Sequence, residues 1–374
     1  MIRYQPLSDF LTEYTLRNDN NQYKPVAVGR YGIRTRDSIY TKELAKDYSK
    51  NKVIYQDTLT VGMGSVQIDI GILTEDIRYS VSPAYHTYQI RNINPAYLRY
   101  CLECRNQDMF TRFVKRGSRQ GKSIDLKRWL TYEIPVFDER KQAEIVAVLD
   151  RISTQVANRQ EQLELFEQLV KSRFIELFES KSWETVRVDS IMFNMRNGVS
   201  PSNVGNHPAK VLTLSAITQG DFDPNSWKDG MFETEPPIEK RVTASDFYMC
   251  RGNGNKKLVG AGVYSKENRY DLVFPDTAIA ATVDLQRVCL PYLFHAWKRP
   301  SVRDQIEACA RTTNGTYKIN QGVISNIELF LPPIDLQEQF AAFVEQTDKS
   351  KLAVQKALDE LEILKKSLMQ QYFG

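Results

Sequence analysis

Apolar residues recur at helical spacing in two long stretches of the chain. Across residues 138–178 they stand three, four or seven positions apart, and no proline or glycine interrupts them. Residues 334–374 carry a second such stripe, which is free of proline and of glycine as far as Gly374. At about 1.5 Å per residue, residues 142–178 would form a rod of about 55 Å. The pattern therefore predicts two long amphipathic helices.

The apolar residues of the two stripes are the predicted contact between these helices. Neither stripe would be stable in water over such a length, so the simplest arrangement packs one helix on the other. An antiparallel pair is expected because a whole domain lies between them in sequence. We predict helix–helix packing by Ile145, Leu149, Ile152, Val156, Leu163, Phe343, Leu358, Leu361, Leu364 and Leu368.

The segments that lead into the two helices look like copies of each other. The sequence IPVFD at residues 134–138 precedes Gln142 and the first helix. At an offset of 197, LPPID at residues 331–335 precedes Gln339 and the second helix. Further matches at offsets of 196, 192 and 189 extend this likeness upstream. A period this long predicts a tandem duplication with a pseudo-two-fold relation, and it is too long for a solenoid.

Each copy also contains a helical pattern followed by a glycine loop. NPAYL at residues 94–98 matches LPYL at residues 290–293, and each opens a helical pattern with proline at the favoured first position. These patterns run into residues 115–123 in the first copy and 310–318 in the second. Runs with strand character, separated by Gly, Asn and Pro turns, lie at residues 53–55, 59–61, 211–214 and 278–283.

Together these patterns predict an α+β protein with two tandem α/β domains. The first domain would span residues 1–137 and the second residues 180–333. The two long helices, at residues 138–179 and 334–374, would pack as an antiparallel coiled coil. The two halves would form an internal pseudo-two-fold repeat.

Composition narrows the class of protein. With 374 residues, 42% of them apolar and 26% charged, the chain is large enough for two domains and is not predominantly disordered or fibrous. No stretch approaches the roughly 18 apolar residues of a membrane span, and the N-terminus lacks the pattern of a signal peptide. We expect a cytoplasmic protein without membrane contact, in which the five cysteines are reduced.

The distribution of charge says more than its total of +4. Counting Lys and Arg against Asp and Glu, the two predicted domains carry +7 and +2, whereas the two predicted helices carry −3 and −2. Basic domains are suited to an anionic partner such as nucleic acid.

Signals for catalysis or metal binding are weak. Cys101 and Cys104 have metal-ligand spacing, but no second pair completes four ligands, so we interpret them as structural thiols and predict no metal site. His86, His207 and His295 are isolated from any nucleophile arrangement. The chain has no motif for S-adenosylmethionine or ATP and no paired-carboxylate nuclease motif. We therefore predict a protein that is not an enzyme.

The junctions resemble those of a known family, the specificity subunits of type I restriction-modification systems. LPPIDLQEQ at residues 331–339 closely matches the family's junction, iPLPPLxEQ. IPVFDERKQ at residues 134–142 departs from it, because Val136 stands where the second proline is usual. WETVRV at residues 183–188 resembles the usual opening of the second recognition domain. The resemblance covers essentially the whole chain.

The resemblance implies a non-catalytic DNA reader that takes part in host defence. Each target-recognition domain would read one half of a split, asymmetric double-stranded target, and the helices would act as a ruler between the halves. The same helices would dock two methyltransferase subunits, and restriction (motor-nuclease) subunits would complete the complex. No cofactor is implied for this chain; S-adenosylmethionine, ATP and magnesium are expected on the partner subunits.

Candidate DNA contacts follow from side-chain chemistry. Arg and Lys pair with guanine or phosphate, and Asn and Gln pair with adenine. In the first domain the candidates are Arg30, Tyr31, Arg34, Arg36, Lys115, Arg116, Ser118, Arg119, Gln120 and Lys122. In the second they are Arg251, Asn253, Asn255, Lys256, Lys257, Arg311, Thr312, Asn314, Tyr317 and Lys318. The plainer interpretation is that these residues only solvate the surface. The GNG at residues 252–254 is interpreted as a turn rather than a nucleotide loop.

Three classes of function remain open from the sequence. The first is the DNA-specificity subunit, the second an enzyme with an unrecognised active site, and the third a coiled-coil adaptor whose duplicated domains bind a partner other than DNA. The missing catalytic motifs count against the second class. Two basic domains with polar glycine loops count against the third, and salt-dependent binding to duplex DNA would distinguish it from the first.

Overall fold

The computed structural model describes residues 2–30, 32–39, 47–117, 121–202, 204–313 and 315–374. The chain forms two compact units. Unit 1 comprises Met1–Glu161 and Gln355–Gly374, and unit 2 comprises Gln162–Val354. Among the helices of these described residues, none combines the length and the apolar character needed to cross a bilayer.

Two long helices are each shared between the units. The first, α3, spans Glu139–Phe174 and continues into one π-helical turn at Ile175–Glu179. The second, α8, spans Ile334–Phe373. Each unit therefore contains the beginning of one long helix and the end of the other. The two long helices expected from the apolar periodicity are present.

Unit 1 contains twelve strands and two further helices in its described residues. The strands are β1 (Arg3–Pro6), β2 (Leu11–Glu13), β3 (Val26–Gly29), β4 (Gly32–Thr35), β5 (Lys52–Ile54), β6 (Thr58–Met63), β7 (Ile68–Leu73), β8 (Tyr79–Val81), β9 (His86–Ile90), β10 (Val114–Gly117), β11 (Gly121–Ile124) and β12 (Glu133–Val136). The helices are α1 (Pro95–Phe113) and α2 (Leu126–Trp129). Helix α1 starts where the proline predicted it, with the side chain of Asn94 accepting from the N–H groups of Ala96 and Tyr97.

Unit 2 contains thirteen strands and four shorter helices among the residues described. The strands are β13 (Thr185–Arg187), β14 (Met192–Asn197), β15 (His207–Leu212), β16 (Trp227–Phe232), β17 (Arg241–Val242), β18 (Asp246–Cys250), β19 (Gly252–Asn253), β20 (Gly262–Tyr264), β21 (Arg269–Val273), β22 (Ala278–Val283), β23 (Arg311–Thr313), β24 (Thr316–Lys318) and β25 (Glu328–Phe330). The helices are α4 (Ser215–Thr218), α5 (Leu290–Trp297), α6 (Pro300–Cys309) and α7 (Gln321–Ser325). The helical pattern of this half is broken between α5 and α6 because Pro300 cannot donate a backbone hydrogen bond.

The main sheets of the two units have the same strand order. In unit 1 the order is β2-β9-β6-β7, and in unit 2 it is β14-β22-β18-β20. Each unit also has an antiparallel pair that joins its first strand to its last, β1 with β12 and β13 with β25. Unit 2 also has a second four-stranded sheet, β16-β15-β21-β17, whereas unit 1 has two separate strand pairs, β3-β4 and β5-β8.

Contacts near the two junctions recur at a constant offset of 195. The hydroxyl of Tyr97 in α1 donates to the carbonyl of Pro135 at 2.7 Å. In unit 2, Tyr292 in α5 donates in the same way to the carbonyl of Phe330. Both tyrosines are buried, and burial raises the pKa of each hydroxyl.

This offset corrects the register of the junctions. Gln142 is matched by Gln337, because both are buried and play the same role. The side-chain oxygen of each accepts from the backbone N–H of the residue before a helix, which is Asn94 before α1 and Cys289 before α5. Gln339, which the sequence pairs with Gln142, is exposed. The offset of 197 was wrong because it aligned the prolines. Pro135 lies inside β12, whereas Pro332 follows the end of β25, so the two prolines occupy different places in the fold.

Most of the residues predicted to pack the long helices are shielded. Ile145, Leu149, Ile152 and Leu358 are buried, and Val156, Leu163, Phe343, Leu361 and Leu368 are half-buried. In unit 1 the start of α3 and the end of α8 share one core, through Ile145, Leu149, Met369 and Phe373. In unit 2 the rings of Phe174 in α3 and Phe340 in α8 lie 5.4 Å apart.

The prediction for Leu364 is wrong, since 47% of this residue is exposed. In this part of α8 the shielded residues are Leu361, then Lys365 four positions later, and then Leu368 and Met369. Lys365 takes the inward place because its ammonium lies 5.6 Å from the ring centre of Tyr100. The step of four turns the shielded stripe past Leu364, which is left facing solvent.

Candidate nucleic-acid interface

In unit 1 the predicted residues lie on two β-hairpins. Arg30 and Arg34 are exposed on the β3–β4 hairpin, and Arg36 is half-buried just beyond it. The β10–β11 hairpin carries Lys115, Arg116 and Lys122. Tyr31, Ser118, Arg119 and Gln120 lie outside the described residues.

Both hairpins border the end of β6 and the turn that follows it. The guanidinium of Arg36 lies 5.3 Å from the ring centre of Tyr48, and it lines a small cavity of about 310 Å³ with Gly62 and Met63. On the other hairpin, the ammonium of Lys122 donates to the carbonyl of Ser65 in the β6–β7 turn. The structure thus brings Arg36 and the glycine-loop residue Lys122 to the same end of β6.

The two lysines of the β10–β11 hairpin differ in their electrostatic surroundings. Lys115 forms an ion pair with Asp125 at 2.6 Å, and this contact lowers the pKa of the Asp125 carboxyl. Lys122 instead lies 5.3 Å from the ring centre of Phe110, a cation–π contact, and it forms no ion pair with any residue that the structure describes. Lys122 is therefore the better suited of the two to attract a phosphate.

In unit 2 the structure joins two predicted segments that are about sixty residues apart in sequence. Strand β24 pairs with both β19 and β23 in one small antiparallel sheet. In its register Tyr317 faces Asn253 on one side and Thr312 on the other, and Lys318 faces Arg311. The two segments therefore form a single surface, which we call the β19–β24–β23 sheet.

The exposed side chains of this surface are mainly basic. Arg311, Thr312 and Lys318 are exposed, and Tyr317 is half-buried against the core of unit 2. The guanidinium of Arg251 donates to the carbonyl of Asp276 at 3.2 Å. That bond ties Arg251 to the protein, so the positive charge presented outward comes chiefly from β23 and β24.

The loop after β19 is shaped by consecutive asparagines. The side-chain oxygen of Asn253 accepts from the N–H of Asn255 at 2.8 Å, and that of Asn255 accepts from the N–H of Lys257 at 3.1 Å. These are Asx turns, which explain the short 3₁₀ turn that follows. Lys257 is exposed and Lys256 is half-buried. In the GNG motif, Gly252 and Asn253 form β19, and the side chain of Asn253 begins the first of these turns.

One residue of this region was missed by the sequence reasoning. Arg303 in α6 donates to the carbonyls of Lys257 and Val259, at 3.0 and 2.9 Å, and so holds the loop in place. The sequence offered little to find it by, beyond its position in the helix that begins at Pro300. Asn314, which was also predicted, lies outside the described residues.

A second feature of unit 2 is a cavity of about 790 Å³ beside the long helices. It is lined by α5, by residues 219–224 and by both long helices, and its lining carries charges of both signs. His295 lies in its wall, with its ring 5.2 Å from that of Phe340. Burial lowers the pKa of His295 to about 4, and the charge of Lys298 acts in the same direction.

We expect unit 2 to become less stable as the pH is lowered, because His295 is neutral in the fold. Its pKa is about 6.5 in the unfolded chain and about 4 in the fold, so the unfolded chain takes up the proton first as the pH drops. The stabilisation is fully present above pH 6.5 and is lost towards pH 4. Urea unfolding at pH 7 and pH 4.5 should show a loss about 2 to 3 kcal/mol larger for the wild type than for His295→Phe. The exposed His207→Gln variant serves as the control, and equal losses in all three proteins would contradict the expectation.

No group of three metal-ligating side chains is present in the described part of the chain. Cys101 is buried, which raises the pKa of its thiol to about 12, and Cys104 is half-buried with its thiol near the carbonyl of Met369. Both positions are those of packing thiols. Cys309, by contrast, is exposed.

Comparison with known proteins shows a partial likeness in sequence and a fuller likeness in fold. No protein-family model matches the chain. Over 201 residues, 51% of the chain, the sequence is 28% identical to the type I restriction enzyme EcoKI specificity subunit of Escherichia coli strain K12. The match spans 42% of that relative's length. The crystal structure of the type I restriction-modification S subunit from M. genitalium has the same fold, with a TM-score of 0.60 over 100% of this chain and 96% of the other, at 13% identity. In sequence over half of the chain, and in fold over all of it, the chain is similar to type I specificity subunits.

A further solved structure supports the specificity-subunit fold. It is described as the basis of complex assembly and conformational transition of the type I restriction-modification system. It superposes with a TM-score of 0.58 over 99% of this chain and 97% of the other, at 16% identity. The mixed α/β architecture with long helices is therefore a fold that the chain shares with these solved structures.

Proposed function

We propose that the chain is the sequence-specific DNA-binding subunit of a type I restriction-modification complex. The observation that carries this proposal is the β19–β24–β23 sheet, which gathers Arg311, Thr312 and Lys318 on one exposed surface of unit 2. Basic side chains bind phosphates, and the neighbouring asparagine and threonine supply groups that pair with base edges. The similarity of the chain to a type I specificity subunit favours duplex DNA as the partner of this surface.

Each recognition domain would read one half of a split, asymmetric target. The two hairpins of unit 1 expose Arg30, Arg34 and Lys122, as a counterpart to the sheet of unit 2. The domains would span residues 1–137 and 180–333. Because the two surfaces differ in sequence and in strand pairing, the two half-sites they select would differ as well.

The long helices, at residues 138–179 and 334–374, would form an antiparallel coiled coil that fixes the gap between the half-sites. The constant offset of 195 at the junctions and the shared strand order support an internal pseudo-two-fold repeat. Exposed apolar residues on these helices would dock two methyltransferase subunits; they are Val148, Leu165, Leu169, Leu352, Ile363 and Leu364. Restriction subunits would complete a complex in the cytoplasm.

The chain itself would be non-catalytic. S-adenosylmethionine would belong to the methyltransferase subunits, and ATP and magnesium to the restriction subunits. The exposed basic surfaces described above supply recognition, and reactive chemistry would come from the partners.

A base-resolution methylation map tests the proposal directly. Cells would express the chain together with the methyltransferase encoded beside it, and control cells would express that methyltransferase alone. We expect methylation only when the chain is present, at a split motif with a gap of fixed length. Identical methylation in both cultures would refute the proposal and favour an adaptor whose domains bind a partner other than DNA.

A further inference from the structure

A buried glutamine stands in the first turns of each long helix. Gln142 in α3 is 5% exposed, and Gln337 in α8 is fully buried. Glutamine is mostly an exposed residue, because its amide carries two donors and an acceptor that water otherwise satisfies. Burial at both equivalent positions therefore indicates specific partners for the amide.

In unit 1 the amide of Gln142 joins two other segments to the helix. Its oxygen accepts from the backbone N–H of Asn94 at 2.9 Å, and its nitrogen donates to the carbonyl of Phe137 at 2.8 Å. Asn94 is the N-cap residue of α1, and Phe137 lies in the junction that leads into α3. One side chain thus connects the globular body, the junction and the long helix.

In unit 2 the amide of Gln337 makes the same connections and one more. Its oxygen accepts from the backbone N–H of Cys289, the N-cap residue of α5, at 2.9 Å. Its nitrogen donates to the carbonyl of Pro332 at 2.8 Å and to that of Arg287 at 3.0 Å. Every group it contacts is backbone, so the geometry does not depend on a mobile side chain.

The orientation of a long helix at its base has a large effect at its far end. Helix α8 spans 40 residues and is about 60 Å long at about 1.5 Å per residue. A change of about 10° at its base would move the far end by about 10 Å, which equals about three base pairs at about 3.4 Å each. Two directional hydrogen bonds to one amide restrict such a change, whereas apolar packing alone is non-directional.

We propose that Gln142 and Gln337 are positioning residues that fix the direction in which each long helix leaves its globular body, and so restrict the gap length that the protein accepts. The gap-setting part of this inference rests on the proposed function. Because both amides are buried, they would act by orienting the helices and not by binding DNA.

The test replaces Gln337 by Met, which keeps the volume and removes both kinds of hydrogen bond, and by Glu, which keeps the acceptor and loses the donors. The matched control is Gln339→Met, an exposed glutamine two residues further along the same helix. All proteins are assembled with the methyltransferase. The first readout is relative methylation across a DNA library in which the wild-type half-sites are separated by gaps of every length.

The second readout measures the helix direction without reference to DNA. Spin labels on the exposed native Cys309 and on Lys349→Cys, where the native side chain is 74% exposed in α8, report a distance distribution inside unit 2. We expect Gln337→Met to broaden this distribution and Gln339→Met to leave it unchanged. We also expect Gln337→Met to raise methylation at neighbouring gap lengths at least tenfold relative to the preferred gap, with both half-sites retained and with Gln337→Glu intermediate.

The outcomes separate the two ideas. An unchanged distance distribution in Gln337→Met would overturn the positioning role. A broadened distribution with an unchanged gap profile, or a drop in methylation by the same factor at every gap, would overturn the effect on gap length and leave only a structural role. If the wild-type complex directs no sequence-dependent methylation while the distribution of the variant broadens, the proposed function fails and the helix-orienting role stands.

Discussion

Replacing Arg311 and Lys318 together by Gln is expected to weaken binding of the assembled complex to its DNA target by about 10- to 100-fold, since one base contact is worth about 1 to 3 kcal/mol. The two residues face each other across β23 and β24, and both are exposed. If one of them contacts a phosphate, the salt dependence of binding should also fall by about one unit of slope. Fluorescence anisotropy at several salt concentrations measures both quantities.

The position of the defect along the target is the more specific part of this expectation. Methylation mapping of the double variant should show relaxed choice in one half of the recognised sequence and an intact second half. Changing Arg116, Arg119 and Lys122 in the first domain should relax the opposite half. A control that removes two charges elsewhere in unit 2, Lys181→Gln with Lys228→Gln, should bind like the wild type. Equal relaxation of both halves by either variant would contradict one domain per half-site.

Replacing Phe340 by Ala is expected to lower the free energy of unfolding by about 3 to 5 kcal/mol, the usual cost of removing a buried aromatic ring. Phe340 is fully buried, and its ring lies 5.4 Å from that of Phe174, 5.6 Å from that of Phe178 and 5.2 Å from that of His295. Urea unfolding measures the loss.

Hydrogen exchange should place that loss in residues 162–354, because the lost contacts all lie in unit 2. The matched control is Leu352→Ala on the same helix, where an exposed side chain is removed and little change is expected. A loss below about 1 kcal/mol for Phe340→Ala would contradict the packing described for the start of α8.

The long helices were predictable because the evidence for them is local. An apolar stripe without proline or glycine is visible in any window of the sequence, and α3 and α8 occupy those windows. The start of α1 was equally visible from Asn94 and the proline that follows it. Strands expected at residues 59–61 and 278–283 are present, whereas the run at 211–214 ends at Leu212 because a short helix begins at Ser215.

The register of the repeat was harder to predict. Matching letters favoured the shared prolines and paired Gln142 with Gln339, but burial and hydrogen bonding pair it with Gln337. A difference of two residues on a helix changes the face by about 200°, so the wrong glutamine would be assigned to the junction. The same reasoning applies to Leu364, whose place in the stripe depends on Lys365 folding its stem inward.

The candidate interface divides in the same way. Residue type alone predicted that Arg311, Lys318 and Lys122 suit nucleic acid, and each of them is exposed. That Asn253 and Thr312 both lie beside Tyr317 in one sheet could not be read from sequence, because the pairing joins segments with α5 and α6 between them. The supporting role of Arg303 was likewise invisible, since its partners are backbone carbonyls.

The sequence by itself determined the two long helices, the basic character of the two globular parts and the likeness of the junctions to one family. These properties depend on residues that are close together in sequence. The spacing of apolar residues indicates a helix, and proline restricts the backbone directly. Only the tertiary structure decided which strands are neighbours, which glutamine is buried at the junction and which lysine pairs with a carboxylate. Such outcomes depend on contacts between residues far apart in the chain, which no local pattern encodes.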